Sequence, residues 1–418
     1  MLHTNRMFTI LVLVALIFSA CQPITRPPVA TPQPPQGLRP DAPPYAVHGP
    51  YAVGARDFAI QDGDHVVLIT VWYPALNPSG AKEEITYTVN EQLPTVAALK
   101  LKMTPIIKGQ AIPNAAPDPA HGPYPLVIFA PGLGGWRQAN SYLLEHLASY
   151  GFVVIAAEPR GESWEEFWAG AATRLIDTKL VIAYAEKLTR ANGELANMID
   201  TEHIATAGHS SGGWAALAGG GARFDFGWCA ANPDIVAQND LSNCTQFVPH
   251  QAEIAQMLGM ASAPQGMWPA QNDPRIDAVV ALAPDGDIWG ANYEGIAALK
   301  VPTLVMAGSG DTVNVPERCA YPLYEHLGSA KKSLVVFGGG DHMIFFNQCR
   351  DTPWLADANY FFCSDAVWEM DRVHDLINHF VTAFLLVELK GDTEAAQALA
   401  PDKVAFPGVR YETTAFAK

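Results

Sequence analysis

The stretch Ala205-Thr206-Ala207-Gly208-His209-Ser210-Ser211-Gly212-Gly213-Trp214 decides the fold prediction for this chain. An apolar run precedes it, and the small, helix-forming residues Ala215-Ala216-Leu217-Ala218 follow it. The pattern predicts a strand, a sharp turn and a helix, with Gly-x-Ser-x-Gly at the turn. Such a turn raises the serine hydroxyl above the end of the sheet, and it needs glycines where side chains would strike the strand and helix. Ser210 is therefore the predicted nucleophile.

Strand-like and helix-like segments alternate on both sides of this turn. Strand-like apolar runs occur at 66–74, 126–130, 152–157, 204–207, 276–283, 302–307 and 334–337. Helical patterns fit at 141–150, 173–191, 316–327 and 366–389. This alternation predicts an α/β fold with a mostly parallel, doubly wound sheet. Catalytic residues are then expected at the carboxyl ends of the strands.

A serine nucleophile needs a base and an acid that orients the base. His342 follows the 334–337 strand in a glycine-rich loop, and it is the histidine placed at a strand end after Ser210. Asp311 follows the 302–307 strand about thirty residues upstream, which gives the order Ser, Asp, His. Asp285 and Asp287, after the preceding strand, remain alternatives for the acid.

Backbone N–H donors are needed to stabilise the oxyanion that forms when an ester carbonyl is attacked. One expected donor is the N–H of Ser211, at the start of the helix after the turn. The other is the N–H of Leu133, which lies between glycines in the loop after the 126–130 strand.

The composition limits the classes of function. The chain has 418 residues, of which 49% are hydrophobic, and these are enough for one large core. Its formal net charge is −16 and it has no cluster of Lys and Arg, so nucleic acid is not an expected partner. Cys and His residues show no metal-ligand spacing, so no metal site is expected.

The N-terminus carries an export signal. Arg6 precedes an apolar run, Phe8 to Ala20, which is short for a bilayer span and ends in small residues directly before Cys21. This pattern resembles a bacterial lipoprotein signal, with cleavage before Cys21 and lipid on its sulfur, although Phe18 stands where leucine is usual. A plain secretory signal is the alternative. Either reading places the chain outside the cytoplasm, where disulfides form.

The predicted domain organisation follows from these features. Residues 1–20 are the signal peptide, and 21–50 form a proline-rich, semi-rigid linker. The catalytic domain spans 51–390, and 391–418 form a tail. An insertion at 221–275, rich in Phe, Trp and Met, is interpreted as a cap that shapes a hydrophobic substrate pocket. The alternative is a segment that only packs on the outside of the domain.

The cysteines after Cys21 allow two disulfides. Cys229 and Cys244 lie in the insertion, and Cys349 and Cys363 flank a loop just after His342, which leaves Cys319 unpaired. Other pairings, such as Cys319 with Cys349, stay open from the sequence.

These motifs resemble those of serine hydrolases with the α/β-hydrolase fold. The chain is similar to the platelet-activating-factor acetylhydrolase and dienelactone-hydrolase-like group in residues 49–54, 71–74, 131–161, 208–213 and 301–311. The resemblance implies hydrolysis of carboxylic esters through an acyl-enzyme, without metal or other cofactor. Pro131 departs from the acetylhydrolases, which have histidine there, and resembles the cutinase-type polyester hydrolases. The acetylhydrolases take their acid from the preceding strand, where this chain has Asp285 and Asp287.

We therefore expect an exported, membrane-tethered serine esterase with Ser210, His342 and Asp311 as its triad. Its expected partners are an ester substrate and the membrane that holds the lipid on Cys21. One alternative is a polyester or long-chain lipid hydrolase. Another is a non-catalytic substrate-binding lipoprotein, which would have a broken triad. The sequence leaves the acyl-chain length and the oligomeric state open.

Overall fold

The computed structural model describes residues 41–160, 163, 166–238 and 242–416. The predicted signal peptide, most of the linker and Cys21 lie outside the described residues. Residues 35–418 form one compact unit, and its buried core clusters use only residues from Val53 onward. The described core is therefore complete within this unit, which is expected to fold without residues 1–34.

A ten-stranded sheet forms the centre of the molecule, in the order β12-β11-β10-β9-β8-β6-β7-β2-β1-β5. Strands β3 and β4 form a separate antiparallel pair. The strands are β1 Ala52–Asp62, β2 His65–Ala75, β3 Ile85–Thr88, β4 Ile106–Gly109, β5 Ile112–Pro113, β6 Tyr124–Ala130, β7 Val153–Ala157, β8 Ile199–His209, β9 Ile276–Leu282, β10 Thr303–Gly308, β11 Lys332–Phe337 and β12 Val409–Thr413.

Helices cover both faces of the sheet. They are α1 Pro94–Ala98, α2 Ser141–Ser149, α3 Gly170–Thr189, α4 Ser211–Gly219, α5 Phe226–Ala231, α6 Pro233–Gln238, α7 Ser242–Phe247, α8 Gln251–Met257, α9 Glu294–Ala297, α10 Ala320–His326, α11 Pro353–Asn359, α12 Met370–Lys390 and α13 Thr393–Ala398. Within the described ranges, no helix is both long enough and apolar enough to cross a bilayer.

The central strands are parallel, and antiparallel strands flank them. β6, β7, β8, β9, β10 and β11 pair in parallel, whereas β2 joins β7, and β12 joins β11, in antiparallel register. Alternation along β6 explains its apolar sequence: Val127 and Phe129 pack into one core cluster, and Leu126 and Ile128 into another. The α/β prediction is confirmed. Most of the predicted strands lie within two residues of their observed bounds, and β8 extends beyond its apolar run.

The packed part of the chain extends past both predicted limits of the catalytic domain. Before residue 51, Ala46 is buried and the Gly49 N–H donates to the Ser149 hydroxyl over 2.8 Å. After residue 390, α13 packs on α12 and β12 forms the last strand of the sheet. A strand of five residues that completes a sheet gives only a weak pattern in sequence, which is why 391–418 reads as a tail.

Candidate active site

Ser210 lies at the turn between β8 and α4, as predicted. Its φ of 57° and ψ of −123° are strained for an L-residue. The Ser210 N–H donates to the carbonyl of Leu282 in the neighbouring β9 over 2.8 Å. The sheet therefore fixes the backbone that presents the hydroxyl, and the side chain keeps partial exposure.

The two motif glycines allow this turn to form. A side chain on Gly208 would overlap the carbonyl oxygen of Gly212. A side chain on Gly212 would in turn overlap the carbonyl oxygen of Ala130, at the end of β6. Both obstacles are backbone atoms held by the sheet, so any larger residue would displace the turn.

Asp311 and His342 are brought together by neighbouring loops. His342 Nδ1 lies 2.7 Å from Asp311 Oδ2, and both residues are buried. Asp311 Oδ1 accepts hydrogen bonds from the N–H groups of Val313 and Asn314, each 2.8 Å long. With its proton on Nδ1 facing the carboxylate, the imidazole leaves Nε2 as an acceptor for a substrate or nucleophile proton.

His209 connects the histidine loop to the serine turn. Its Nε2 donates to the carbonyl of His342 over 3.1 Å, and the two rings are 4.8 Å apart between centroids. Burial, with the neighbouring His342, holds the pKa of His209 well below its usual range, so His209 stays neutral. The loop that carries His342 is therefore attached to the residue directly before Ser210.

The loop with Leu133 forms a tight turn beside the nucleophile. The Gly135 N–H donates to the Gly132 carbonyl over 3.1 Å, and Gly134 has a φ of 66°. The N–H of Leu133 has no part in this turn bond. A Cβ atom on Gly132 would lie only 3.2 Å from the Ser210 Cβ, so the turn packs directly against the serine.

Two further residues hold this loop by its carbonyl groups. Arg174, a buried residue of α3, donates from Nη1 to the Pro131 carbonyl over 2.6 Å. Thr95 of α1 donates from its hydroxyl to the Gly134 carbonyl over 2.5 Å. These bonds fix the carbonyls and so set the direction of the N–H groups of the same peptides. The Ser211 N–H, at the first position of α4, lacks an intrahelical acceptor as helix starts do.

The alternative acids have other partners. Asp287 Oδ1 accepts from Asn243 Nδ2 over 2.9 Å, so this carboxylate faces the insertion. Burial, with the charge of Asp287, raises the pKa of Asp285 to about 7. The hydrogen bond to His342 Nδ1 is made by Asp311. The charges of His342 and Asp311 also act on the Asp285 carboxyl, so Asp285 lies close to this pair.

The insertion differs from the expected hydrophobic pocket. Helices α5 to α8 are short, and Phe226, Phe247 and Trp268 are fully buried in a core cluster shared with Trp214 of α4. The apolar content that suggested a pocket is therefore used mostly for packing. Disulfides Cys229–Cys244 and Cys349–Cys363 are both present, as predicted, and Cys319 is a free thiol within the described residues.

A polar cavity of about 460 Å³ lies elsewhere, between α2, α12 and the end of β4. Its lining includes His48, Glu145 and His374, and none of the predicted catalytic residues. In the described part of the chain, no group of three or more His, Cys, Asp or Glu side chains is arranged to hold a metal ion. The serine turn, rather than this cavity, is therefore the candidate active site.

Two protein families match this chain in separate segments. The family model for platelet-activating factor acetylhydrolase, isoform II, matches residues 42–187, which include Leu133 and Arg174. The PET hydrolase-like family model matches residues 252–360, which include Asp311 and His342. The chain has the α/β-hydrolase fold. The predicted resemblance to acetylhydrolases and polyester hydrolases is confirmed, and both matched families are carboxylic ester hydrolases.

Individual relatives of this α/β-hydrolase match over a shorter region. It is 29% identical over 125 residues to platelet-activating factor acetylhydrolase of Gallus gallus, covering 28% of this chain and 30% of the relative. It is 30% identical over 124 residues to platelet-activating factor acetylhydrolase of Cavia porcellus, covering 28% of each protein. The α/β-hydrolase thus spans less than a third of the length of the curated relatives it matches.

Sequence reasoning located Ser210, Asp311, His342, Leu133 and Ser211 at one edge of the sheet, and the structure places them there. It missed Arg174, Thr95 and His209, which act on backbone carbonyls. Of these, only His209 carried a signal, since it lies within the Gly-x-Ser-x-Gly motif. Arg174 lies within a helix, and nothing in the local pattern separates it from a surface arginine.

Proposed function

We propose that this α/β-hydrolase cleaves carboxylic esters through an acyl-enzyme on Ser210. The observation that carries the proposal is the buried hydrogen bond between His342 Nδ1 and Asp311, in a loop attached to the residue before the strained serine turn. A buried carboxylate on one imidazole nitrogen leaves the other nitrogen basic toward a neighbouring hydroxyl.

In the proposed reaction, His342 Nε2 accepts the proton of the Ser210 hydroxyl while the serine oxygen attacks the ester carbonyl. The N–H groups of Leu133 and Ser211 stabilise the oxyanion. The tetrahedral intermediate collapses, the bond to the alcohol oxygen breaks, and His342 returns the proton to that oxygen. His342 then removes a proton from water, whose oxygen attacks the acyl-serine ester. The bond to the serine oxygen breaks, that oxygen takes the proton from His342, and the acid is released.

We further propose that the enzyme is exported and tethered to a membrane by lipid on Cys21. The short apolar run before Cys21 supports this localisation, and so do the two disulfides, which persist in oxidising compartments. The proline-rich residues that follow would separate the folded unit from the membrane.

A second candidate function is hydrolysis of polyesters or long-chain lipids. The specific support is the PET hydrolase-like match over residues 252–360, together with Pro131 in the loop of Leu133. Within the described part of the insertion, Phe226, Phe247 and Trp268 are packed in the core instead of lining a hydrophobic pocket, so the insertion adds no support for this candidate.

Hydrolysis of p-nitrophenyl esters from acetate to palmitate tests these proposals, using residues 35–418 and matched variants. Ser210→Ala should abolish turnover. Asp311→Asn should lower kcat by about 10³- to 10⁴-fold, because the imidazole loses its orienting carboxylate. Asp287→Asn is the matched control and should change kcat by no more than a few fold. The chain-length optimum separates acetylhydrolase-like from lipid-like activity.

Two outcomes would contradict the proposal. A steep loss in Asp287→Asn with an active Asp311→Asn would show that the acid is misassigned. Well-folded protein without turnover of any ester would favour a binding protein on a hydrolase fold.

A further inference from the structure

Two buried asparagines join the loop that carries Leu133 to the loop that carries His342. Residues 137–140 form a turn between the Leu133 loop and α2, and Asn140 is the last residue of this turn. Asn347 lies five positions after His342. Asn140 is 0% exposed and Asn347 is 1% exposed. We call these two residues the asparagine pair.

Asn347 binds the turn with both its backbone and its side chain. Its N–H donates to the Ala139 carbonyl over 3.0 Å. Its Nδ2 donates to the Gln138 carbonyl over 2.8 Å and to the Ser141 hydroxyl over 3.2 Å. Its Oδ1 accepts from the Tyr142 N–H over 3.3 Å. Both amide hydrogens and the amide oxygen of Asn347 are therefore used on the turn and the first residues of α2.

Asn140 makes a bond in the opposite direction. Its Nδ2 donates over 2.6 Å to the carbonyl of Phe345, which lies in the helical turn that begins at His342. The Oδ1 of Asn140 has no hydrogen-bond partner among the described residues. Burying an unpaired amide oxygen costs free energy, so the contribution of Asn140 is its one bond to the histidine segment.

The other bonds of the active site hold each of these two loops separately. Asp311 and His209 bind the loop that carries the histidine. Arg174 and Thr95 bind carbonyl groups of the oxyanion-donor loop. These four residues attach the loops to other parts of the fold, whereas the asparagine pair attaches the loops to each other.

The proposed reaction depends on the distance between these loops. The Leu133 N–H stabilises the oxyanion while His342 takes the proton of the Ser210 hydroxyl, so both groups act on one tetrahedral centre. A misplacement of about 1 Å at such a centre can cost about 10²-fold in rate. A direct connection between the loops sets this distance before the substrate binds.

We propose that Asn140 and Asn347 are positioning residues that fix the base His342 relative to the oxyanion donor Leu133. They act through the two loops and not on the substrate. This inference rests on the proposed function and deepens it, because it assigns the alignment of base and oxyanion donor to one pair of buried amides.

Titration with a p-nitrophenyl alkylphosphonate tests this role. The Ser210 oxygen attacks phosphorus and forms a P–O bond, His342 takes the serine proton, and p-nitrophenolate leaves once per site. The amount released counts the competent sites, and the rate constant measures how well each site is aligned. A protein that is only less stable would release less p-nitrophenolate at an unchanged rate constant.

Asn347→Leu removes the amide bonds without emptying the buried position. In residues 35–418, this variant should react with the phosphonate about 10- to 100-fold more slowly and release as much p-nitrophenolate as the unchanged protein. Its kcat for p-nitrophenyl acetate should fall by a similar factor with little change in KM. The pH at which kcat/KM is half-maximal should stay the same, because the bond between His342 and Asp311 is not altered.

Asn140→Leu is a milder variant, since it removes only the bond to Phe345, and its rate constant should fall less. The double variant with Asn347→Leu should lose less than the product of the two single losses, because both residues act on the same junction. Asn378→Leu is the matched control. Asn378 is buried on α12, its Oδ1 has no partner within the described ranges, and its loss should leave the rate constant unchanged.

Three results would overturn the proposal while leaving the esterase intact: an unchanged rate constant in Asn347→Leu, a decrease in the amount released alone, or an equal slowing in Asn378→Leu. Fully multiplicative losses in the double variant would show that the two asparagines do not act as a pair. Unchanged protein that reacts with neither the phosphonate nor any ester would instead contradict the proposed function, and this inference with it.

Discussion

Ser210 occupies a backbone conformation that costs an L-residue about 1–3 kcal/mol. The surrounding backbone maintains it: the bond from its N–H to Leu282 and the close approach of Gly208 and Gly212 leave no relaxed alternative. Strain that the fold maintains in this way keeps the hydroxyl in place before a substrate arrives. Strands β6, β8 and β9 and the start of α4 therefore position Ser210, and its own side chain does not.

Arg174 provides a test of how the loop that carries Leu133, the proposed oxyanion donor, is held. Arg174→Met removes the hydrogen bond to the Pro131 carbonyl and frees the peptides that lead to the Leu133 N–H. We expect kcat for p-nitrophenyl esters to fall by about 10- to 100-fold with little change in KM, since a full oxyanion donor is worth about 10²–10³. Steady-state kinetics of the variant give both parameters.

Two variants control for a purely structural effect of Arg174. Arg174→Lys keeps a donor of similar reach and should recover part of kcat. Lys179→Met removes an exposed cation from the same helix and should leave both parameters unchanged. A variant Arg174→Met that unfolds more easily yet keeps its kcat would show that Arg174 serves stability only.

The positions of the candidate catalytic residues were predictable because each follows a strand. Parallel strands bring their carboxyl ends to one edge, so Ser210, Asp311 and His342 could be grouped without knowledge of any contact. The choice between Asp311 and Asp287 depended on side-chain direction, which the sequence does not encode locally. Asn243, more than forty positions earlier in the sequence, donates a hydrogen bond to Asp287, and no local sequence pattern predicts such a contact.

The parallel centre of the sheet was predicted from its buried apolar runs, and its antiparallel edge strand β12 was not. β11 is a buried run, whereas β12 alternates between exposed and half-buried residues and resembles a loop. Its place in the sheet depends on pairing from Ser333–Thr413 to Phe337–Val409, which only the fold brings together. The role of the insertion also depends on contacts that only the fold brings together, because its aromatic residues could line a pocket or pack in a core.

Truncation at the predicted domain boundary tests the importance of β12. Ending the chain at Gly391 removes α13 and β12, uncovers the edge of β11 and exposes Phe380, against which Tyr411 packs. An uncovered strand edge promotes aggregation, so we expect most of the truncated protein to be insoluble. Soluble yield and size-exclusion chromatography measure this.

The point variant Glu412→Ala controls for this truncation. Glu412 is an exposed residue of β12, and its loss should change the free energy of unfolding by no more than about 0.5 kcal/mol. A soluble, monomeric and active chain ending at Gly391 would show that residues 392–418 are dispensable, in line with the tail predicted from the sequence for 391–418.

At the scale of the whole molecule, buried histidines connect stability to pH. Burial lowers the pKa of His146 and of His374 to about 3 and that of His379 to about 4. In the unfolded chain each has a pKa near 6.5. Below that pH the unfolded chain binds protons that the folded chain excludes, so stability is fully present above pH 6.5 and falls as the pH drops toward 3.

Glu145 acts in the opposite direction. Burial raises the pKa of its carboxyl to about 7, so the folded state holds a proton that the unfolded chain has lost above about pH 4.5. The contribution of Glu145 to the free energy of unfolding therefore rises as the pH falls from 7 to 4.5. This rise offsets part of the stability that one buried histidine loses. Asp285, whose pKa burial also raises to about 7, acts in the same direction as Glu145, so these carboxyls oppose the buried histidines between pH 7 and pH 5.

His374→Gln isolates one of these histidines. The amide can still donate to the Phe346 carbonyl, which His374 Nε2 reaches over 2.9 Å, but it does not titrate. The variant is expected to be less stable than the unchanged protein at pH 7, because the stacking on Tyr142 is lost.

Between pH 7 and pH 5 that deficit should shrink by about 2 kcal/mol, since each pH unit below 6.5 is worth about 1.4 kcal/mol per histidine. Urea unfolding at both pH values measures the change. A deficit for His374→Gln that is the same at pH 7 and pH 5 would mean that this histidine is protonated in the folded protein as readily as in the unfolded chain.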